Sequence, residues 1–305
     1  MIRFLNNDEI DKDEWDRCIL NSLNPSPYTH SWYLDSLSPG WCALVDQDYR
    51  SIFPLPALRK AGFSYIFTPV FIQRLGLFSA DRYSDNMLNE FISLIPDKFR
   101  FIDLAINRKP SDFQGEVIER DNYVLSLTGG YEKIRNGYSS DCRRNLKLSG
   151  NESLEIIENV KPQEAVSLFL SGPGRKIESI SVSDFHGLMR LMSYCIKNGK
   201  GNIRGIAIDG RLVYSLFTVE TGNRIISLFT STSEDSRRAR TGYYFIDRLI
   251  RENAGKPVIL DFAGSSIKSI ADYNLSFGAE KETYYRLYHN RLPWPIRLFK
   301  QQFIL

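Results

Sequence analysis

The chain has 305 residues, 43% hydrophobic and 13% aromatic, with 39 lysines and arginines against 36 aspartates and glutamates. At about 150 residues per domain this is enough for two packed cores, and the aromatic content excludes a disordered chain. A net charge of +3 is too small for a nucleic-acid coat protein, and no run of about 18 apolar residues offers a membrane span.

A helix is predicted over 11–22, with Trp15, Cys18, Ile19 and Leu23 on one face, and a shorter one over 31–37. Strands are predicted at 41–45, 51–58 and 63–67, broken by Asp46-Gln47-Asp48 and Lys60-Ala61-Gly62. Met87, Leu88, Phe91, Ile92 and Ile95 predict a helix over 84–95, and strands at 100–106 and 116–127 follow before Gly129-Gly130. The second half runs through a strand at 153–158 and helices at 162–170 and 183–198. Strands at 203–208, 211–219 and 223–230 are joined by Asp209-Gly210 and Thr221-Gly222-Asn223, both hairpin signals. A helix at 242–254, a strand at 257–262, a helix at 265–275 and a strand at 280–288 complete it.

The halves match element by element at an offset of about 160 residues. The strand at 41 matches 203, the one at 64 matches 224, the helix at 84 matches 242, and the strand at 100 matches 257. The expectation is an α/β chain of two tandem lobes, 1–130 and 151–290, each a mixed, mostly antiparallel sheet flanked by helices. A basic segment, 131–150, links them, and 291–305 forms a basic, aromatic tail.

The cysteines, Cys18, Cys42, Cys142 and Cys195, are scattered, and His30, His186 and His289 lack metal-ligand spacing. Buried thiols, a reduced compartment and no metal are expected. The start, Met1 to Asp8, turns acidic at once and has no apolar signal core, so a cytoplasmic location is expected. No G-x-S-x-G elbow, P-loop or strand-borne G-x-G-x-x-G is present, which removes sequence support for hydrolase, kinase and dinucleotide readings. A triad assembled in space stays open. Residues 1–145 carry 17 basic and 20 acidic side chains, and 146–305 carry 22 and 16, so the basic excess lies in the second half. It is either solvated surface or the seat of an anionic ligand.

Leu260-Asp261-Phe262-Ala263-Gly264-Ser265-Ser266, then Tyr273-Asn274-Leu275-Ser276-Phe277-Gly278-Ala279, resembles the D-F-x-G and F-K-x-x-F-G runs of the Fem-type peptidyltransferases. Tyr138-Ser139-Ser140-Asp141-Cys142-Arg143-Arg144-Asn145-Leu146-Lys147 is similar to their S-x-x-x-R-R-N-x-K element. The segment from Asn290 to Lys300 resembles tails of uncharacterised bacterial acyltransferase-like proteins. The chain as a whole resembles the N-acetyltransferase (GNAT) architecture, doubled as in the FemAB-like acyltransferases. That resemblance implies transfer of an acyl group from an acyl-CoA-type donor to a small-molecule amine. The Fem-type alternative implies an aminoacyl-tRNA donor and a cell-wall precursor, and a non-catalytic binding groove is the third possibility.

In GNAT proteins a [QR]-x-x-G-x-[GA] loop opens a helix over the pyrophosphate of coenzyme A. Here the matching stretch contains Arg237, Arg238, Arg240, Thr241 and Gly242, with Ala239 and Tyr244 departing from the pattern. Exposed N–H groups there suit an anion; an ordinary basic loop is the alternative. Asn274 aligns with the tyrosine acid of the acetyltransferases and the lysine of the Fem type, and asparagine cannot act as an acid. Tyr273 or water then handles the proton, or activity is lost. Asp261, at a strand end, either orients the amine, acts as base, or caps the next helix. Arg143 and Arg144 either clamp an anion or are solvated, and Tyr214 and Ser215 are candidates to face the groove with Gly264 and Ser265. Gln73-Arg74-Leu75-Gly76 is the matching loop of the first lobe. The tail, with Trp294, Phe299, Phe303, Ile304, Arg297 and Lys300, either packs on a lobe or touches a membrane surface. No DNA-binding module is recognisable.

Overall fold

A computed structural model describes residues 1–294 except 24, 61, 82, 151–152, 173, 175–178 and 265–266. Ser265 and the tail residues from 295 onward therefore lie outside the described residues. Two compact units result, Met1–Arg120 with Thr283–Leu305, and Asp121–Glu282. Unit 1 is discontinuous in sequence, and unit 2 is one continuous stretch.

Unit 1 begins with β1 (Arg3–Leu5), α1 (Lys12–Asn21), α2 (Ser31–Leu37), β2 (Cys42–Val45) and β3 (Ser51–Leu55). It continues with β4 (Ala57–Lys60), β5 (Phe63–Phe67), β6 (Phe78–Ser79), α3 (Asp85–Ser93) and β7 (Phe99–Ile106). Strand β8 (Glu116–Ser126) carries the chain into unit 2. There α4 (Tyr131–Asn136), α5 (Ser140–Ser149), β9 (Glu155–Ile157), α6 (Pro162–Ser171) and α7 (Val182–Lys197) precede β10 (Gly201–Ile208), β11 (Arg211–Thr221) and β12 (Arg224–Thr232). Next come α8 (Glu234–Arg238), α9 (Thr241–Asn253), β13 (Ile259–Asp261) and α10 (Lys268–Ser276), and β14 (Glu280–Asn290) returns the chain to unit 1.

In unit 1, Asp11 caps α1 by accepting from the N–H groups of Asp13 and Glu14. The helix buries Trp15, Cys18 and Ile19, and the Trp15 ring meets Trp41 at 4.7 Å between centroids. Both indole N–H groups are satisfied, by Thr29 O at 2.8 Å and Asp35 at 2.9 Å. The strand predicted at 51–58 is two strands. Pro56 between them has no N–H to donate, so ladder pairing breaks there. β3 stays in the sheet β1-β2-β3-β6, while β4 joins the order β4-β5-β7-β14.

In unit 2 the order is β8-β13-β12-β11-β10-β9. One face carries α9 with α4, α5 and α10 over Tyr214, Leu216, Phe245, Leu260 and Phe277. The other carries α6 and α7, where Phe169 meets Phe229 at 4.9 Å and Ser231 Oγ donates to Ala165 O at 2.7 Å. The segment 131–150, expected to link two lobes, folds as α4 and α5 within this unit. Cys142, Asn145 and Ser149 face inward at helical spacing. Gly278, at φ +78°, lets the chain leave α10 against Gly137, whose carbonyl oxygen lies 3.1 Å from where a Cβ would stand.

The repeat has a topological form. β5 and β7 pair in parallel around α3, and β12 and β13 pair in parallel around α9. Nearly all other described pairings are antiparallel, so both units have mixed sheets. No helix among the described residues is long and apolar enough to cross a membrane.

Asp16 ties α1 to α2 by accepting from Ser31 N at 2.8 Å and Ser31 Oγ at 2.7 Å, with His30 Nδ1 at 3.1 Å. Burial works against its charge, but the bonds from His30 and Ser31 outweigh that and hold the carboxyl below its ordinary value. The folded state therefore keeps this carboxylate charged longer than the unfolded state as pH falls. Its stabilisation is present above the unfolded value of about 3.9 and is lost as pH falls through the lower folded one. Asp16→Asn is expected to lower stability in urea by about 1–3 kcal/mol at neutral pH. Native and variant should converge in acid.

Candidate active site

The site grows from an interrupted strand pair. β12 pairs with β11 from Arg224 to Thr232, but with β13 only through Arg224, Ile225 and Ile226. β13 stops because Asp261 is held in place. Its carboxylate is fully buried, pairs with Arg224, and accepts the Ala263 N–H at 2.8 Å. Ala263 and Gly264 then turn the chain with φ of +59° and +62°. From 227 to 232 the β13-facing edge of β12 has no strand partner among the described residues.

Beyond β12, α8 leads to Arg240, which takes the left-handed conformation (φ +57°) as the N-cap of α9 and makes no side-chain cap. The N–H groups of Thr241 and Gly242 fall in the first turn, where no carbonyl precedes them in the helix. The positive end of the helix dipole points the same way. Arg237 and Arg240 are exposed beside it, while Thr241 is buried with its hydroxyl 2.6 Å from Ser236 Oγ.

Across this helix start stands Tyr273 of α10. A Cβ on Gly242 would lie 3.3 Å from Tyr273 Oη and 3.7 Å from the Tyr214 ring, so glycine keeps this approach open. The Tyr273 ring packs edge-on against Tyr243 at 4.8 Å and Phe277 at 5.2 Å. Burial in this aromatic setting, with Tyr214 and Tyr243 nearby, pushes the Tyr273 hydroxyl well above the ordinary tyrosine value. The residue is nevertheless partly exposed, with its hydroxyl beside Gly242 at the start of α9. Cys142 lies in the same cluster. Burial pushes its thiol up to about 12, which leaves it protonated and inert as a nucleophile at neutral pH.

The structure thus brings together Tyr273, Gly242, Thr241, Arg240, Arg237 and Tyr214, and it separates the other predicted residues. Asn274 is rotated about 100° from Tyr273 around the helix. It is 2% exposed, with its Nδ2 unpaired inside the unit, so it does not occupy the position of an acid. Ser215 alternates with Tyr214 and pairs across the ladder with Ser231, on the α6 side of the sheet. One strand cannot send both neighbours to the same groove. Arg143 and Arg144 are exposed, bonded to Asn136 O at 2.8 Å and to Asp141 at 2.5 Å. Arg238 pairs with Asp235. Asp261 has no free role as a base while Arg224 holds it, and Gly264 serves the turn. In unit 1, Leu75 and Gly76 are buried, and Leu75 bonds backbone to backbone with Ala105 and Asn107. That loop fills the position equivalent to the site.

Two participants escaped sequence reading. Tyr243 is marked only by its place one residue after Gly242. Arg224 is marked by a charge at the start of an otherwise apolar strand, with partners 37 and 58 residues away.

Neither a protein-family model nor a curated protein matches the sequence. Solved structures do. FemX superposes with a TM-score of 0.66 at 10% identity, covering 95% of this chain and 98% of that one. L-PGS (lysylphosphatidylglycerol synthetase) from Bacillus licheniformis gives 0.58 at 10% identity, covering 96% and 97%. A tandem GNAT protein from the clavulanic acid biosynthesis pathway gives 0.51 at 12% identity, covering 96% and 99%. The chain has the tandem GNAT/Fem-type acyltransferase fold along nearly its whole length.

Burial works against the Arg224 charge, but Asp261 and Glu282 hold its pKa above the ordinary value. Glu282, 3.3 Å away, is itself bonded by Asn122 at 3.0 Å. Asp261→Ala leaves the mostly buried guanidinium without its inner partner, a loss expected to cost about 3–5 kcal/mol. Chemical denaturation measures it; a change under 1 kcal/mol would mean that the pair does not hold β13.

Proposed function

We propose that the chain transfers an acyl group to a small-molecule amine, with the chemistry at the start of α9 in unit 2. The observation that carries this reading is the Tyr273 hydroxyl, set beside Gly242 on an acyltransferase-type fold. A neutral amine attacks an activated carbonyl, charge develops on its oxygen, and the leaving group takes up a proton. Tyr273 supplies that proton. Its raised pKa keeps the hydroxyl protonated at neutral pH, so no titration of this group interrupts turnover there.

The donor in this reading is acyl-CoA. Its phosphates suit the free N–H groups of α9 with Arg237 and Arg240 alongside. Its extended, amide-bearing arm suits the open backbone edge of β12, which offers N–H and C=O groups in alternation. Asp261, committed to Arg224, takes no part as base, and the amine proton passes to solvent. The inert Cys142 thiol agrees with direct attack and no covalent intermediate.

A second reading, an aminoacyl-tRNA donor, is favoured by the exposed Arg143, Arg144 and Lys147 on α5, which suit a phosphate backbone. Thermal unfolding with each donor separates the two. Coenzyme A at 100 times its Kd should stabilise the fold by about 2.7 kcal/mol. Stabilisation by charged tRNA alone selects the second reading, and silence with both selects a binding groove without chemistry. Tyr273→Phe is expected to lower kcat by about 10²–10⁴ while leaving donor affinity unchanged. An unchanged kcat would remove the acid role.

A further inference from the structure

In unit 1 a cleft of about 210 Å³ opens between α3, the start of β7, the end of β14 and the loop before β8. Its floor is apolar: Ile92 lines it from α3, and Phe99 and Ile102 line it from β7, all three buried. Residues three apart on a regular strand face opposite ways. The register shift of β7 against β5, between Ser64 and Tyr65, gives β7 one extra residue and turns Phe99 to the side of Ile102. The loop over the cleft is clamped from both sides. Asn89 of α3 accepts the Asp112 N–H at 3.3 Å and donates to Ser111 Oγ at 2.6 Å. Gly115 lies flat against β14, where a Cβ would stand 2.5 Å from Tyr288 O, and so lets Phe113 meet His289 edge-on at 6.0 Å.

Charges of both signs line the same cleft. Arg291 Nε donates to His289 Nε2, which holds the guanidinium there. Its Nη1 reaches Asp97 at 3.3 Å, in a pair exposed enough (53% and 96%) to be worth little. Its Nη2 has no partner among the described residues, and neither has the Asp112 carboxylate on the clamped loop. A guanidinium suits a carboxylate, an aspartate suits an ammonium, and the floor suits an aliphatic body. At about 30 Å³ per water the cleft has room for about seven waters, or a molecule of about seven to ten non-hydrogen atoms. We infer that it binds a free α-amino acid with a branched aliphatic side chain, leucine being the type. The carboxylate lies on Arg291, the ammonium on Asp112, and the side chain on Phe99 and Ile102. This site lies wholly within unit 1 and does not rest on the acyl-transfer reading.

Calorimetric titration of the full chain with leucine, 4-methylpentanoate, 3-methylbutylamine and glycine tests this. Leucine should bind in a saturable manner at a single site. The second compound lacks the ammonium and the third the carboxylate, and each should bind about 10- to 100-fold more weakly, the worth of a charge-assisted hydrogen bond. Glycine, without the apolar body, should fall by at least about tenfold. Asp112→Asn and Arg291→Gln, both at exposed positions, should each lose leucine affinity while unfolding at the native temperature without ligand, which shows that they are folded. Equal binding of leucine and either truncated analogue overturns the zwitterion assignment. Leucine binding that survives both substitutions places the amino acid elsewhere on the chain, as at the unit 2 site, and overturns the proposal. So does a native chain that binds no leucine.

Discussion

The pairing of Arg224 with Asp261 is the constraint on which the rest of unit 2 depends. It joins the first residue of β12 to the last residue of β13, with the carboxylate fully buried. A buried charge must be compensated where it stands, so the pair sets both the register of the two parallel strands and the point at which they part. Asp261 also accepts the Ala263 N–H, which directs the left-handed turn that takes the chain away from β12. The open backbone edge is the result. A longer parallel ladder would pair those backbone groups and close the edge.

What fills the other side of that opening is aromatic. Tyr243, Phe262, Tyr273 and Phe277 contact one another around the start of α9, and Tyr138 joins them edge-on to Phe277 at 5.4 Å. Tyr138 is in turn anchored, its hydroxyl donating at 3.0 Å to Asp247 of α9. The same carboxylate accepts from Tyr131 at 2.9 Å. Helices α4 and α5 are thereby fixed to the helix whose first turn forms the site. Rigid rings around Tyr273 both hold its hydroxyl in place and keep it protonated, since apolar surroundings penalise the phenolate.

How much of this was legible depended on whether the signal was local. Helical spacing of apolar residues located α3, α7 and α9 to within two residues at either end, because burial of one face follows directly from periodicity. The repeat was visible as element order, and its parallel strand pairs account for it. The site was harder, since one residue of phase decides it. Tyr273 and Asn274 are both polar neighbours in the string, yet on a helix they point about 100° apart, and only the first reaches Gly242. Tyr214 and Ser215 on a strand point to opposite faces. Arg224 and Asp261 meet across 37 residues, and nothing in the local pattern of either announces the other. The basic residues Arg143 and Arg144 lie in a stretch that resembles a motif, and the helix turns them outward, which only the phase of α5 decides.

The two copies of the strand–helix–strand repeat show what turns a shared fold into a site. In unit 1 the parallel pair β5–β7 is followed by a loop whose Leu75 lies alongside Ile106 and bonds to Ala105 and Asn107, extending the sheet over the end of the pair. In unit 2 the equivalent end carries a short helix, a left-handed arginine and a glycine, and no strand is added. The first arrangement satisfies its own backbone groups and has no use for a ligand. The second leaves N–H groups at a helix start and on a strand edge for an outside partner to satisfy. Duplication supplied two such ends, and the physical difference between them is the hydrogen bonding of Leu75 against the freedom of Gly242. On that ground the proposed chemistry is assigned to unit 2, where the helix dipole, the open strand edge and the Tyr273 hydroxyl converge.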